Sequence, residues 1–328
     1  MAGLDFSTDN KVCIRTLFNK EIIKHIKEYF HYYVIYFGLP SPEAKDIECW
    51  IDYIDFVIAF QCREYPNAST PDQPRDDVIQ LMNKLNIYEE QRKIDSHIVY
   101  DGYIEEVVFN GFDNSQQTLK FKFDRSVTVF NLDFCNRITS PRKYLTKDGE
   151  SISMYKFDLI DKILELQNNV SEDDQKFILF LTINATYAGG ELDIFIRNNE
   201  EFLRPLENLT KKDKNKQLIR YFVERALYDR CIERNFAPYF LPTISYNGIN
   251  NTPMYQFALF CTKKQFEDTG AVVKSLDAII KQKTITPNDT YNGFENVTIN
   301  GLLQSNSNID FMNEFAISAY YEQYWKGQ

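Results

Sequence analysis

The stretch Gln175 to Thr186, QKFILFLTINAT, constrains the fold more than any other part of the chain. An unbroken apolar, β-branched and aromatic run of this length reads as a strand buried on both faces, which is the situation of a strand inside a parallel sheet covered by helices. The flanking segments agree with that setting. A long helix is expected from about Asn215 to Asn235, with apolar positions 218, 222, 223, 226, 227 and 231 on one face. Two further strands, Tyr239 to Tyr246 and Met254 to Thr262, are joined by a segment whose Asn247-Gly248 is a strong turn signal. A helix at roughly Met154 to Asn168 precedes the buried strand, and Ser126 to Asp133 reads as another strand before it. Strand, helix, strand, helix, strand, turn, strand predicts an α/β fold, a Rossmann-like mostly parallel sheet ending in an antiparallel hairpin.

The N-terminal half reads less sharply. Thr16 to about Phe37 repeats apolar residues at helical spacing until Gly38-Leu39-Pro40-Ser41-Pro42 stops it, and Ser41-Pro42 opens a second helix through about Ile51. Tyr53 to Cys62 is a short apolar run that fits a buried strand, and a proline-rich loop then leads to an amphipathic helix from Asp77 to about Gln91. His97 to Asn110 and Thr118 to Asp124 alternate like strands. Beyond Lys264 the chain reads as an extension, helical at first and ending in an amphipathic helix from Asp310. The expected organisation is an N-terminal helical segment (1–50), an α/β core (51–264) and a C-terminal helical extension (265–328).

Composition excludes several classes. The chain has 328 residues, enough for a large core, and its mean hydropathy is −0.41 with no apolar run long enough to span a bilayer. Net charge is −10 and the isoelectric point about 5.0, which opposes nucleic-acid binding through the whole surface. The start shows no secretory h-region, and the six cysteines are dispersed without a CxxC pair, so the reading is a reducing cytoplasm with cysteines as small buried hydrophobes. Aromatic richness, 26 Phe and 21 Tyr, points to thick core layers and to protein interfaces, hence to a protein partner or a homo-oligomer and not to a membrane.

With a strand ending in Asn131-Leu132-Asp133-Phe134-Cys135-Asn136, a second ending in Ile183-Asn184-Ala185-Thr186 and a closing hairpin after a long helix, residues 51–264 resemble the class I S-adenosylmethionine-dependent methyltransferases. The resemblance implies methyl transfer from S-adenosylmethionine to an acceptor, with the nucleophile positioned against the methyl group. It implies Asp133 and Asn184 as the catalytic pair and Phe60, Gln61, Asp133 and Phe134 as cofactor contacts. A ribose-binding acid falls on Glu105, Glu106 or Asp101. In such enzymes a glycine-rich loop follows the first strand so that backbone can approach the cofactor. Here the run after Tyr53 to Phe60 is Gln61-Cys62-Arg63-Glu64-Tyr65-Pro66, without glycine. The alternative is therefore a degenerate relative, a pseudoenzyme acting as a structural or interaction subunit, with its crevice plugged by its own side chains.

Other candidates are weaker. Gly189-Gly190-Glu191-Leu192-Asp193 resembles the metal-binding segment of restriction-like nucleases, but no following strand supplies E-x-K, so Glu191 is read as a loop acid and no metal is expected. Tyr187 is a rim residue beside Asn184. His25, His31 and His97 are too far apart to form a cluster, and Lys211 to Lys216 is read as a solvated loop.

Overall fold

In a computed structural model of the chain, residues 9–30, 33–61, 76–111, 113, 121–145, 150–187, 189–198, 210–241, 243–263 and 309–311 are described. Their strands are β1 (Ile35–Gly38), β2 (Phe56–Gln61), β3 (Ser96–Asp101), β4 (Val129–Arg137), β5 (Arg142–Leu145), β6 (Ser151–Met154), β7 (Lys176–Asn184), β8 (Phe236–Phe240), β9 (Ile244–Asn247), β10 (Pro253–Lys263) and β11 (Ile309–Phe311). The helices are α1 (Asp9–Cys13), a π-helical turn (Ile14–Asn19), α2 (Lys20–Phe30), α3 (Lys45–Trp50), α4 (Asp76–Glu90), α5 (Ile104–Asn110), α6 (Lys156–Asn168), α7 (Glu191–Asn198) and α8 (Lys211–Glu233).

One sheet organises the chain in the order β11-β9-β10-β7-β4-β1-β2-β3, with β8 also on β10. From β3 to β7 all neighbours are parallel, whereas β10 runs antiparallel to β7 and to β9. This is the doubly wound order 3-2-1-4-5 extended by an antiparallel hairpin, a Rossmann-like α/β fold. Strand β7 lies at its centre and is buried over its whole interior, as its uninterrupted apolar sequence requires.

Helices cover both faces. Ile22 and Ile26 of α2, Ile47 and Trp50 of α3 and Leu81 and Leu85 of α4 pack on one face with Tyr36, Val57, Val129 and Phe180. Ile104 of α5, Phe157 and Ile160 of α6, and Val223 and Leu227 of α8 cover the other, with Phe37, Phe60, Phe130 and Phe177. Aromatic rings on this second face meet edge to face, Phe37 with Phe60 at 4.9 Å and Phe130 with Phe177 at 5.2 Å between centroids, so the Phe-rich composition is spent on a core layer.

Several local readings change. The apolar run ending at Phe37 is not one helix: α2 stops at Phe30, and Ile35–Gly38 is β1, the strand between β2 and β4 in the parallel part of the sheet. A four-residue strand directly after an amphipathic helix continues its apolar pattern, and periodicity alone cannot separate the two. Consequently Phe56–Gln61 is the second strand and not the first. After β3 the chain turns into α5 instead of continuing as a strand, which moves Glu105 and Glu106 from a strand end to the first turn of a helix. Lys211 to Lys216 is the start of α8, not a loop, and Glu191 opens α7. Residues 121–124 form no strand, β5 and β6 form an unexpected two-stranded ribbon, and Ile309–Phe311 joins the sheet beside β9, so Asp310 lies in a strand where a helix is expected. Arg63 to Pro66, His31, and the C-terminal extension apart from β11 lie outside the described residues.

The entry to β4 is held by one fully buried amide. Gln167 of α6 accepts the Val127 N–H through Oε1 (3.0 Å), while its Nε2 donates to the Val127 carbonyl (3.0 Å) and to Ser126 Oγ (2.5 Å). Gln167→Ala leaves these groups buried and unpaired, and is expected to lower the unfolding free energy by about 2 kcal/mol in a denaturant titration.

Candidate functional site

In a doubly wound sheet the ligand crevice opens outside the carboxyl ends of the strands where the order reverses. Here that point lies between β1 and β4, since the helices after β1 and β2 pack on one face and those after β4 and β7 on the other. Strand β1 ends early: Gly38 pairs with Ala59 and Asn131, while β2 continues to Gln61 and β4 to Arg137. Its end is therefore recessed between two longer neighbours.

Polar side chains collect at this recess on the face covered by α2 and α3. Asn131 of β4 is buried and its Nδ2 donates to Asp46 Oδ2 (2.9 Å) and to the Tyr36 hydroxyl (3.2 Å). Asp46, near the start of α3, also pairs with the guanidinium of Arg15. Two residues along β4, on the same face, Asp133 pairs with Lys11 (2.5 Å). Register carries the polar row across the sheet, because Asp133 faces Thr182 of β7 and Thr182 faces Gln256 of β10. Gln256 Nε2 in turn donates to Asn19 Oδ1 (2.5 Å).

The covering groups Lys11, Arg15 and Asn19 are spaced by four. In a continuous α-helix a four-residue step drifts by about 40°, since each residue turns about 100°. The π-helical turn Ile14–Asn19 winds more slowly and offsets that drift, so the three residues meet one row of partners. The N-terminal segment thereby closes over the crevice: Lys11 and Asp133 are only 15% and 17% exposed, Arg15 and Asp46 only 13% and 10%. Burial raises the Asp46 carboxyl above its ordinary range, with Arg15 opposing the shift, and burial followed by the nearby Asp46 charge holds the Tyr36 phenol well above its own.

The turn after β1 decides what can approach from the strand ends. Its N–H groups are largely committed: Leu39 donates to the Asn131 carbonyl (3.1 Å), Ala44 to the Ser41 carbonyl (2.8 Å) and Lys45 to Ser41 Oγ (3.5 Å). Pro40 and Pro42 have no N–H. An anionic group gains at such a position from several converging backbone N–H donors, and Ser41 and Glu43 are the two other residues of the turn that carry one. A ligand approaching this turn has only those two N–H groups to meet in it.

The expected site residues divide between two faces. Asp133 stands at the crevice. Phe60 and Phe134 point to the opposite face, as strand alternation demands: the Phe60 ring stacks on Tyr100 at 5.2 Å and the Phe134 ring lies under Lys156 Nζ at 5.6 Å. Gln61 ends β2 opposite Asp101. Glu105 is buried in the first turn of α5, also against that second layer, and its neighbour Glu106 is pushed up by burial with Arg142 opposing. Asn184 Oδ1 accepts the Thr186 N–H (2.8 Å), a turn-forming contact at the end of β7. Asp193 caps α7, accepting from Gly190 N–H (3.1 Å) and the Tyr187 hydroxyl (2.7 Å), and these bonds hold it below the usual carboxylate range, Tyr187 first. Among the described residues no group of three His, Cys, Asp or Glu side chains could hold a metal ion, and no helix is long and apolar enough to cross a membrane. Sequence reading missed Lys11, Arg15, Asn19, Tyr36, Asp46 and Asn131. For Lys11, Arg15 and Asn19 the spacing of four was the local signal open to reading.

No family model matches the chain, and no curated protein does. Among solved structures, a SAM-dependent methyltransferase from Agrobacterium tumefaciens is similar at 13% identity and a TM-score of 0.37, covering 76% of this chain and 62% of that one. The pyocyanin biosynthetic protein PhzM gives 6% and 0.34, and this chain spans only 55% of its length while 75% of this chain is covered. M. jannaschii TYW2 in complex with AdoMet gives 7% and 0.32, with 76% of each chain covered. What the fold and site define is a Rossmann-like α/β protein with a capped switch-point crevice.

Proposed function

We propose that this chain is a methyltransferase-like protein that works as a binding subunit and does not itself transfer methyl groups. The observation that carries the reading is the turn Gly38 to Ala44 at the end of β1, where two prolines carry no N–H and the Leu39 and Ala44 N–H groups are already bonded. Support also comes from the closure of the crevice by Lys11 and Arg15, which neutralise the two acids, Asp133 and Asp46, that would face a ligand. A binding role makes use of the fold without its chemistry, since function resides in sites grafted on folds.

A second reading, methyl transfer, is favoured by the position of Asp133 at the switch point with a lysine beside it. In that reading Asp133 orients the acceptor and Asn184 lines the same rim, with Gln61 at the end of β2 reaching the cofactor.

Calorimetric titration with S-adenosylmethionine and with its demethylated product separates the two. No heat of binding is expected at millimolar ligand, and no rise in melting temperature. A native-state ligand at a hundredfold excess over its Kd would add about 2.7 kcal/mol of apparent stability, so a real site would be seen. Saturable binding abolished by Asp133→Ala would overturn the binding-subunit reading in favour of the enzyme.

A further inference from the structure

The N-terminal segment is attached in two different ways. Ile22, Ile23 and Ile26 of α2 are buried in the core, and within the π-helical turn Ile14 and Phe18 are buried as well. The preceding turn, α1, is held by polar groups instead: Lys11 on Asp133, and Asn10, only 6% exposed, whose Nδ2 donates to the Asn247 carbonyl (2.9 Å). Its next side chain, Val12, is 41% exposed. The Oδ1 of Asn10 is buried without a hydrogen-bond partner, so the seating is not fully satisfied.

Beneath it lies a surface of fixed character. Asp46 and Asp133 supply two carboxylates, while Asn131, Tyr36, Thr182 and Gln256 supply neutral polar groups, all on rigid strands or at the start of α3. A row of this kind, with acids at one end and an amide at the other, recognises a helix that presents cations and then an amide at intervals of four residues. Residues 11, 15 and 19 are such a ridge.

We infer that the crevice is a receptor for a cationic helix, that residues 9–19 are its built-in occupant, and that a partner helix carrying lysine and arginine four residues apart competes for the same seat. The inference rests on the binding-subunit reading and names the partner chemistry of that site. Charge complementarity selects the occupant: an acidic or apolar helix would leave Asp46 and Asp133 buried without counter-charge, which is far costlier than leaving them paired. The exchange lifts α1 and the π-helical turn, and with them Ile14 and Phe18, so the partner helix must present apolar residues at the matching positions, while α2 remains anchored by its isoleucines.

Two native reporters sit under the segment. The Trp50 indole Nε1 donates to the Arg15 carbonyl (3.0 Å), and Cys49 Sγ lies 3.9 Å from the same oxygen. The chain has two tryptophans, Trp50 and Trp325, so W325F leaves Trp50 as the sole emitter. In full-length W325F protein, K11A/R15A is expected to raise the alkylation rate of Cys49, mapped by mass spectrometry, by about tenfold, and to shift Trp50 emission to the red while a cooperative melt is retained. K11R/R15K is expected to keep the protection. A synthetic peptide of residues 9–19 should restore protection and emission to K11A/R15A, and the same peptide carrying K11E/R15E should not. Unchanged Cys49 reactivity in K11A/R15A overturns the inference, as does equal rescue by both peptides or rescue by neither. Should K11A/R15A fail to fold, D133N, which removes only the carboxylate under Lys11, takes its place with the same expected directions. Saturable S-adenosylmethionine binding in the calorimeter would sink the binding-subunit reading by itself, whereas failure of the peptide experiment alone sinks only this inference.

Discussion

Arg220→Ala is expected to cost about 3–5 kcal/mol of stability, the largest loss of any single substitution considered for this chain. Arg220 and Glu224 lie one turn apart on α8, 0% and 3% exposed, with Arg220 Nε donating to Glu224 Oε1 at 2.9 Å. The hydroxyl of Thr243 donates to the same oxygen at 2.9 Å, tying the helix to the start of the hairpin. Neither charge has water to return to. Removing the guanidinium leaves a carboxylate in the interior, and the penalty is that of an uncompensated buried charge, not the modest worth of a surface pair. Guanidinium chloride unfolding, read as a change in midpoint at constant slope, measures it. The double substitution R220M/E224L, apolar and of similar volume, should recover most of the loss.

The same pair carries a pH dependence of definite sign. Burial raises the Glu224 carboxyl above its ordinary value, with Arg220 opposing. A carboxyl whose folded value is raised favours the folded state when protonated, so its contribution is complete below the ordinary glutamate value of about 4.3 and is lost as pH rises through the folded value. Arg220→Ala raises that folded value further. The destabilisation should accordingly be smaller at pH 5 than at pH 8, and an equal loss at both would mean that Glu224 is not the group left stranded.

Gly38→Ala is expected to cost about 3 kcal/mol, at the upper end of overpacking penalties. A Cβ at position 38 would lie 2.5 Å from the backbone oxygen of Asn131 and 2.7 Å from the Tyr36 hydroxyl. A tyrosine side chain can yield, but the carbonyl belongs to the neighbouring strand and accepts the Leu39 N–H. The only escape is to spread β1 from β4 at the point where they meet, which also loosens the Asn131 amide from Asp46. Thermal unfolding followed by circular dichroism would register the loss as a fall in melting temperature, and a variant as stable as the parent would show that the two strands part easily there.

Glycine at 38 also illustrates how legible the site was. The sequence shows a glycine and two prolines ending an apolar run, which is enough to stop a helix. It does not show that the residues just before the stop are a strand, because Ile35 to Phe37 extend the apolar pattern of α2 without a break in chemistry. That one ambiguity handed the role of first strand to Phe56–Gln61 and sent the search for a cofactor loop to the end of β2. The strands buried on both faces, β4 and β7, and the hairpin of β9 and β10 were readable because length, β-branching and the Asn-Gly turn agree there.

Local sequence thus determined the alternation of strands and helices and the antiparallel close, which arise from periodicities of two and 3.6 residues that neighbouring side chains carry; the strand expected to end at Asp133 continues to Arg137. Tertiary structure alone decided which side chains share a face of the crevice. Lys11 meets Asp133 across 122 positions and Asn19 meets Gln256 across 237. No local pattern encodes such pairings, because they arise from strand order and register, which are settled only when both faces of the sheet are buried at once.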